Sequence, residues 1–353
     1  MVAPQDQTWT VKAILDWCEG YLADKGDAQP RLSAQWLLGE AMGLTRIELY
    51  THLDEPLSKE ERATMRAWVQ RRGAGEPLQL ICGTAPFRHM VLKVAPGVLI
   101  PRPETEVLVS EVLALFPVPK QISAYAFEDE RVGKLDAMVE VMPDDAHGSD
   151  DSSHAEGGHA ESVESDQSSD QPGENAGFSE SIRVIDLCTG SGCIACALAT
   201  EHPHMHVLAL DIAPEALTLA QENVNEQGVS DRVEILESDL LSAVTANAEN
   251  KNSFDVIVSN PPYIPSCVLD TLDAEVNDYE PRLALDGGAD GLDLFRRFVG
   301  DAYELLKPEG VLAVELFEDS LEAACDSAYG HGFADARIVQ DLAGRNRVLI
   351  ATK

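Results

Sequence analysis

Apolar residues recur near the helical period of about 3.6 in the amino-terminal part of the chain. The series runs through Trp9, Val11, Ile14, Leu15, Trp17 and Tyr21, and then through Leu32, Trp36, Leu37 and Leu38. This spacing predicts a bundle of short helices over residues 1–76, and Gly73, Gly75 and Pro77 are expected to end it.

The pattern changes after residue 77. From Leu78 to Ile100 apolar and polar residues alternate, as in His89 to Val94, so we expect a β-hairpin linker over residues 77–100. Pro101 to Glu106 then precedes the apolar run Val107 to Phe116. Because prolines favour an extended entry and acids favour the first turn of a helix, a helix is predicted to start there.

From Ser181 onward the sequence alternates between strand-like and helix-like segments. Strands are predicted at 183–187, 207–211, 233–238, 254–259, 310–316, 336–340 and 347–351, and helices at 193–200, 214–227, 292–306 and 320–329. Such alternation predicts an α/β domain over residues 101–353, with a mainly parallel sheet covered on both faces. Ligands of such sheets bind at the carboxyl ends of the strands.

An acidic segment interrupts this second domain. Residues 120–180 contain 16 Asp or Glu and only 3 Lys or Arg, with many Ser and Gly residues and few side chains to bury. We expect most of this segment to be a disordered insertion. It most simply represents a tolerated surface loop, although a tether or spacer is an alternative.

Charge and composition exclude several classes of protein. The formal net charge is −35 at pH 7, which repels a duplex polyanion, and no Lys/Arg cluster is long enough to form a basic groove. Direct nucleic-acid binding is therefore not expected. No run of about 18 uncharged apolar residues occurs, and Met1 to Thr10 lacks a basic start and an apolar stretch. We expect a cytoplasmic monomer without membrane contact.

The cysteines do not predict a metal site. Their number is odd, 7, and they are scattered through apolar segments, as expected for reduced thiols in the cytosol. Cys193 and Cys196 form a C-x-x-C pair without a second cysteine or histidine pair, so zinc or redox use is disfavoured.

A glycine loop follows the first predicted strand of the α/β domain. The segment Cys188-Thr189-Gly190-Ser191-Gly192 lies between that strand and a helix. Its glycines would let the backbone approach a ligand closely at the amino terminus of the helix. The same spacing also satisfies a dinucleotide fingerprint, so a dehydrogenase is an alternative, and an ordinary strand-to-helix turn is another.

Two acidic residues follow the next two strands. Asp211 ends the second strand, where its carboxylate can accept hydroxyl groups of an adenosine ribose. Asp239 follows the third strand and is placed to accept from an adenine amino group, with Leu240 packing against the ring. A helix cap or plain loop carboxylate explains Asp239 equally well.

The most specific motif is Asn260-Pro261-Pro262-Tyr263, which directly follows the fourth predicted strand. The two prolines restrict the backbone and cannot donate, so neighbouring carbonyl groups stay free as acceptors. The Asn260 side-chain oxygen and the Pro261 carbonyl can each accept one hydrogen of a planar NH₂ group. Tyr263 can stack on the flat substrate group. This arrangement predicts methyl transfer to a planar nitrogen through positioning and carbonyl dipoles.

Five sequence blocks together resemble the release factor glutamine methyltransferases. They are Val98 to Glu106, Asp186 to Gly192, Asn260 to Tyr263, Tyr279 to Leu285 and Asp341 to Arg347. The resemblance covers nearly all the chain except the acidic insertion. It implies S-adenosylmethionine-dependent methylation of the glutamine in the Gly-Gly-Gln loop of class I peptide chain release factors.

The resemblance also implies a fold and a set of site residues. The fold would be a helical domain that grips the release factor, a hairpin hinge, and a seven-stranded, Rossmann-like catalytic domain whose last strand is antiparallel. Asn260 to Tyr263 would hold the glutamine, and the loop 264–290 would border the substrate entrance. The implied cofactor-binding residues are Asp186, Cys188, Thr189, Gly190, Ser191, Gly192, Asp211, Ile212, Asp239, Leu240 and Asn260.

One other methyltransferase class fits the motif. An adenine-N6 nucleic-acid methyltransferase would grip an exocyclic amine with the same tetrapeptide after base flipping. The acidic balance, the missing basic recognition domain and the block Pro101 to Glu106 disfavour it. The chain departs from the family pattern at Leu80, at Leu316-Phe317 and in the insertion.

Overall fold

The computed structural model describes residues 9–117 and 181–353, so the whole of the predicted acidic insertion 120–180 lies outside the described residues. The amino-terminal part is helical, as the apolar period predicts. Its helices are α1 (Val11–Asp24), α2 (Pro30–Met42), α3 (Arg46–Thr51) and α4 (Lys59–Arg72). Thr45 and Ser58 begin α3 and α4 with capping boxes, and the apolar faces pack into one core that includes Leu22, Leu37 and Met65.

The linker differs from the sequence prediction in its first part. The expected strand at Leu78 is instead a short helix, α5 (Leu78–Cys82), and the hairpin is confined to β1 (Thr84–Phe87) and β2 (Met90–Lys93). An apolar run this short does not distinguish a helix from a strand by its period. Gly83, with φ of 80°, ends the helix in the left-handed conformation.

The second part of the chain is a seven-stranded sheet covered by helices. In chain order its further elements are α6 (Thr105–Leu115), β3 (Ile182–Leu187), α7 (Cys193–Glu201), β4 (Met205–Asp211), α8 (Pro214–Glu226), β5 (Val233–Glu237), α9 (Ser242–Thr245), β6 (Phe254–Ser259), α10 (Ser266–Leu269), α11 (Ala274–Asn277), α12 (Asp293–Leu305), β7 (Leu306–Glu315), α13 (Leu321–Gly330), β8 (Asp335–Gln340) and β9 (Asn346–Thr352). The strand order is β5-β4-β3-β6-β7-β9-β8.

The predicted α/β class and the implied strand directions are confirmed. Strands β5, β4, β3, β6 and β7 pair in parallel, and β9 pairs antiparallel with both β7 and β8. Two apolar cores cover the two faces of the sheet, one containing α6 and α7 and the other containing α12 and α13. Within residues 9–117 and 181–353, no helix has the length and apolar character needed to cross a membrane.

Candidate active site

Strands β3 and β6 carry the two principal motifs to the same edge of the sheet. They pair in parallel so that Leu187, just before the glycine loop, is the register partner of Ser259, just before Asn260. The buried Ser259 hydroxyl donates to the Leu187 carbonyl at 2.7 Å. The glycine loop and the Asn-Pro-Pro-Tyr motif therefore leave the sheet side by side.

The glycine loop is held tightly against helix α8. Gly192 has a φ of 78°, and a Cβ atom at this position would lie 3.1 Å from the Cβ and 3.2 Å from the Cα of Ala220. Only glycine fits this backbone and this approach without displacing the helix. The side chain of Asn223, also in α8, donates to the Ser191 carbonyl at 2.8 Å and so fixes the loop from the same side.

Asp211 organises the turn after β4. One carboxylate oxygen accepts from the Gly190 N–H at 2.9 Å, and the other accepts from the N–H groups of Ile212 at 2.8 Å and Ala213 at 3.0 Å. A carboxylate offers about four lone-pair positions, so about one is left for a ligand hydroxyl. Ile212 lies beside it and is 49% exposed.

Asp239 is already engaged by a neighbouring cation. Both of its carboxylate oxygens accept from Nη2 of Arg297 at 2.9 Å, and both side chains are about half exposed. Leu240 follows in the left-handed region, with φ of 51°, and packs against the core. Neither interpretation of Asp239 included this contact with Arg297. An adenine amino group bound here would share the carboxylate with Arg297.

A single cavity of about 630 Å³ brings most of the predicted residues together. The predicted residues that line it are Cys188, Thr189, Gly190, Ser191, Asp211, Ile212, Asp239, Leu240, Asn260 and Pro262. Four predicted residues do not line it, namely Asp186, Gly192, Pro261 and Tyr263. The cavity is of the size that binds small-molecule ligands.

Asn260 is oriented by a residue from the distant helix α6. Its Nδ2 donates to Oγ1 of Thr105 at 3.0 Å, and the Thr105 side chain is almost fully buried. Within the described residues Oδ1 of Asn260 accepts no hydrogen bond, and this oxygen is not fully buried. With the nitrogen turned to Thr105, the amide oxygen is the free acceptor of this side chain.

Tyr263 is turned into the protein by its hydroxyl group. That hydroxyl donates to Oε1 of the buried Glu315 at 2.9 Å. Burial raises the pKa of Tyr263 well above its usual range, and the nearby charge of Glu315 raises it further. The ring packs against the core that contains α12, so Tyr263 braces the motif as well as bordering it. Pro261 of the same motif is buried.

The backbone after the motif is locked by a glycine-containing loop. A Cβ atom on Gly291 would lie 2.3 Å from the Tyr263 carbonyl oxygen, so only glycine permits this approach. Ile264 exchanges backbone hydrogen bonds with Leu285 and Gly287, each at 2.9 Å. The prolines and this loop together make Asn260 to Tyr263 a rigid segment.

Asp186 lies beneath the glycine loop and is fully buried. Its Oδ2 accepts from the Thr189 hydroxyl at 2.6 Å and from the Ala195 N–H at 3.1 Å, whereas Oδ1 has no partner among the described residues. Burial raises the pKa of Asp186 to about 7, against these two hydrogen bonds. Through these two contacts Asp186 joins the glycine loop to helix α7.

A second, polar cavity lies beside the first. It measures about 130 Å³ and is bounded by α5, by Arg102 and by the segment 273–280. Arg102, which lines both cavities, is 2.5 Å from Oε1 of the buried Glu280. Arg72 of the amino-terminal helices pairs with Glu275 at 3.0 Å, so those helices contact the loop at this opening.

Sequence reasoning missed several residues of the main cavity. Thr105 and Arg102 lie in the block Val98 to Glu106, which carried the resemblance but suggested no role for these two side chains. Glu215 stands in the first turn of α8, where an acid is common for helix stability alone. Arg297 gave no signal, because an exposed arginine on an amphipathic helix is ordinary.

Family models match two parts of the chain. The PrmC N-terminal domain model matches residues 13–83, and the methyltransferase small domain model matches residues 174–271. The first covers most of α1 and all of α2 to α5, and the second includes β3, the glycine loop and the Asn-Pro-Pro-Tyr motif.

Whole-chain relatives give a consistent picture. The chain is 38% identical to the release factor glutamine methyltransferase of Geobacter sulfurreducens, over 97% of this chain and 96% of that protein. It is 36% identical to the protein of that name from Moorella thermoacetica, over 97% and 98% of the two chains. The one from Rhodopirellula baltica is 34% identical, over 99% and 98%.

Proposed function

The chain belongs to the release factor glutamine methyltransferase family, and from that premise we propose that it methylates the side-chain amide nitrogen of the glutamine in the Gly-Gly-Gln motif of class I peptide chain release factors, with S-adenosylmethionine as the donor. The observation that carries the proposal is the Asn260 amide. Its nitrogen is held by Thr105, its oxygen is free, and it shares one cavity with the glycine loop.

The residues of the main cavity suit a nucleoside with an amino-acid tail. Asp211 would accept a ribose hydroxyl, the apolar side chains of Ile212 and Leu240 would border the base, and the glycine loop would lie against the tail. S-adenosylmethionine would supply an activated methyl group on a positively charged sulfur.

The remaining chemistry is positioning. Asn260 Oδ1 and the Pro261 carbonyl would each accept one N–H of the glutamine amide, which points the face of its nitrogen at the methyl group. An amide nitrogen loses resonance as it attacks, and the fixed acceptors stabilise this change more than they stabilise the resting substrate. The rigid backbone of the motif keeps both acceptors in place.

The amino-terminal helices would bind the release factor. Helix α4 contacts the loop 264–290, which would border the substrate entrance, through the Arg72 to Glu275 pair. In the same region the Tyr279 hydroxyl donates to the Ala74 carbonyl at 3.4 Å. This contact places the helical part at the mouth of the second cavity.

Transfer of a tritiated methyl group tests this function. Purified chain, labelled S-adenosylmethionine and intact release factor should give labelled release factor, and changing the glutamine of the Gly-Gly-Gln loop should abolish the label. Peptide mass spectrometry should place the added methyl group on that glutamine.

Duplex and single-stranded DNA serve as competing substrates. Label on DNA and none on the release factor would support an adenine-N6 methyltransferase in place of our proposal. Label that persists after the loop glutamine is changed would mean that another residue is the acceptor.

A further inference from the structure

The turn after strand β5 is held against the turn after β4. The Ser238 N–H donates to the Asp211 carbonyl at 2.9 Å. The Ser238 hydroxyl donates to the Leu240 carbonyl at 2.6 Å and accepts from the Ala243 N–H at 3.1 Å. Asp239 belongs to this turn, so its backbone is held close to Asp211, the proposed ribose acceptor.

A cation from helix α12 reaches the same turn. Leu294 and Arg297 both line the main cavity, and because they are three positions apart they lie on one face of the helix. Nη2 of Arg297 donates to both carboxylate oxygens of Asp239 at 2.9 Å. Within residues 9–117 and 181–353, Nε and Nη1 of Arg297 donate to no other group.

Both side chains keep hydrogen-bonding capacity for a ligand. A carboxylate offers about four lone-pair positions, and Arg297 occupies about two of those on Asp239. A guanidinium carries N–H donors on all of its nitrogens, and Asp239 engages only one nitrogen of Arg297. The wall of the cavity therefore presents an acceptor and a donor side by side, next to Leu240.

An adenine base has the complementary pattern. Its amino group donates, and the ring nitrogen on either side of that group, N1 or N7, accepts. Asp239 would accept from the amino group while Arg297 donates to the adjacent ring nitrogen. Hypoxanthine has a carbonyl oxygen in place of the amino group, and this oxygen would face the Asp239 carboxylate without a hydrogen between them.

We propose that Arg297 is a specificity-determining residue, which together with Asp239 selects an adenine base by donating to the ring nitrogen beside the amino group. The inference rests on the proposed function, because it takes the base to be that of S-adenosylmethionine. It adds a residue of α12 that contacts the cofactor. Its effect is expected on the choice and affinity of the cofactor, which binding measurements detect without turnover.

Deaza analogues of S-adenosylhomocysteine test the hydrogen bond from Arg297. Each has a C–H group in place of one ring nitrogen, N1 or N7, and so lacks that acceptor. Isothermal titration of the wild-type chain should give a Kd about tenfold higher for one of the two analogues than for the parent compound. Arg297→Met keeps an apolar stem without donors. Its Kd for the parent compound should rise about tenfold, and the difference between parent and analogue should disappear.

Arg337→Met is the matched control. Arg337 forms a half-exposed ion pair with Glu111 at 2.7 Å but does not line the main cavity. This variant should keep the wild-type Kd values for the parent compound and for both analogues. Both arginine variants should melt near the wild-type temperature, because exposed ion pairs contribute little to stability.

S-inosylhomocysteine tests the contribution of Asp239. The wild-type chain should bind it about tenfold to a hundredfold more weakly than S-adenosylhomocysteine. Asp239→Asn brings an NH₂ group that can donate to the carbonyl oxygen of hypoxanthine, so this preference should shrink at least about fivefold. Asp231→Asn, on an exposed carboxylate outside the cavity, should keep the full preference.

The outcomes separate this inference from the proposed function. If neither deaza analogue binds more weakly than the parent compound, or if the difference persists in Arg297→Met, the inference is overturned. An unchanged base preference in Asp239→Asn would also overturn it. A wild-type chain that shows these preferences but transfers no methyl group to the release factor would refute the proposed substrate and leave the inference standing. A wild-type chain that does not bind S-adenosylhomocysteine would refute both.

Discussion

The Gly190 N–H donates to the Asp211 carboxylate at 2.9 Å, which joins the turn after β3 to the turn after β4. The same carboxylate also accepts from two N–H groups of its own turn. Two loops from neighbouring strands are therefore shaped by one side chain. A ligand that approaches Asp211 meets a carboxylate whose orientation is already fixed.

Asp211→Asn should weaken the binding of S-adenosylmethionine. The amide keeps one acceptor oxygen but brings an NH₂ group to face either Gly190 N–H or the N–H groups of Ile212 and Ala213. We expect the Kd to rise at least about tenfold, which corresponds to the loss of one charge-assisted hydrogen bond. Isothermal titration measures the change. Asp231→Asn, an exposed carboxylate outside the cavity, is the matched control and should leave the Kd unchanged.

Asn260→Ala should separate turnover from cofactor binding. The Asn260 oxygen is proposed to act mainly in the transition state, so kcat should fall by about two orders of magnitude or more, with little change in the Kd of S-adenosylmethionine. Single-turnover transfer and equilibrium binding measure the two quantities. Asn225→Ala, on the exposed face of α8, controls for a general effect of losing an asparagine. Wild-type turnover in Asn260→Ala would remove its assigned role.

Gly192→Ala should destabilise the protein more than Gly228→Ala. Both glycines have positive φ values, 78° and 69°, but only Gly192 has Ala220 within contact distance of an added Cβ. Gly228→Ala therefore reports backbone strain alone, about 1 kcal/mol, whereas Gly192→Ala adds the displacement of α8, for a total of about 2–3 kcal/mol. Urea unfolding gives both free energies. Equal losses would mean that the approach of α8 to the loop is easily relaxed.

The sequence was most informative about the site at positions where the backbone conformation or the required chemistry allows only a few residue types. The glycine loop, Asp211 and Asn260 each stand at a strand end, and the parallel register of β3, β4 and β6 brings them to one cavity as predicted. The helix at Leu78–Cys82 was missed because its run is too short to show a period.

Partners that come from distant parts of the chain were beyond sequence reasoning. The Thr105 to Asn260 contact spans 155 positions, and the Arg102 to Glu280 pair spans 178. Nothing in either local pattern specifies such a neighbour. The direction of the Tyr263 hydroxyl likewise follows from the burial of Glu315, the last residue of β7, to which the sequence assigned no role.

Asp186→Asn should change the dependence of stability on pH. The pKa of Asp186 is raised from about 4 to about 7 by burial, so the folded state holds its proton more tightly than the unfolded state does. The contribution of this group to stability is full below pH 4 and is lost as the pH rises to about 7. Asparagine does not ionise, so the stability of the variant relative to wild type should increase between pH 4 and pH 7 and then level off. Chemical unfolding at several pH values measures it, and a constant difference would contradict the raised pKa.

Arg102→Ala should lower the free energy of unfolding, because it removes the partner of the buried Glu280 carboxylate. Without its partner, Glu280 is left charged in a site where it is only 1% exposed, and we expect a loss of about 3 kcal/mol at pH 7. Arg282→Ala breaks the exposed pair with Asp286 and should cost less than about 1 kcal/mol, so it serves as the control.

The sign of the pH effect distinguishes the charge of Glu280 from the packing of Arg102. Burial raises the pKa of Glu280 and Arg102 opposes that rise, so removing Arg102 should raise the pKa further. The stability lost in Arg102→Ala should then be small near pH 4, where Glu280 is largely protonated in both proteins, and should grow as the pH rises towards 7. Adding Glu280→Gln to Arg102→Ala should recover most of the pH-dependent part. A loss that is the same at pH 4 and pH 7 would assign the effect to the packing of the arginine side chain and not to the buried charge.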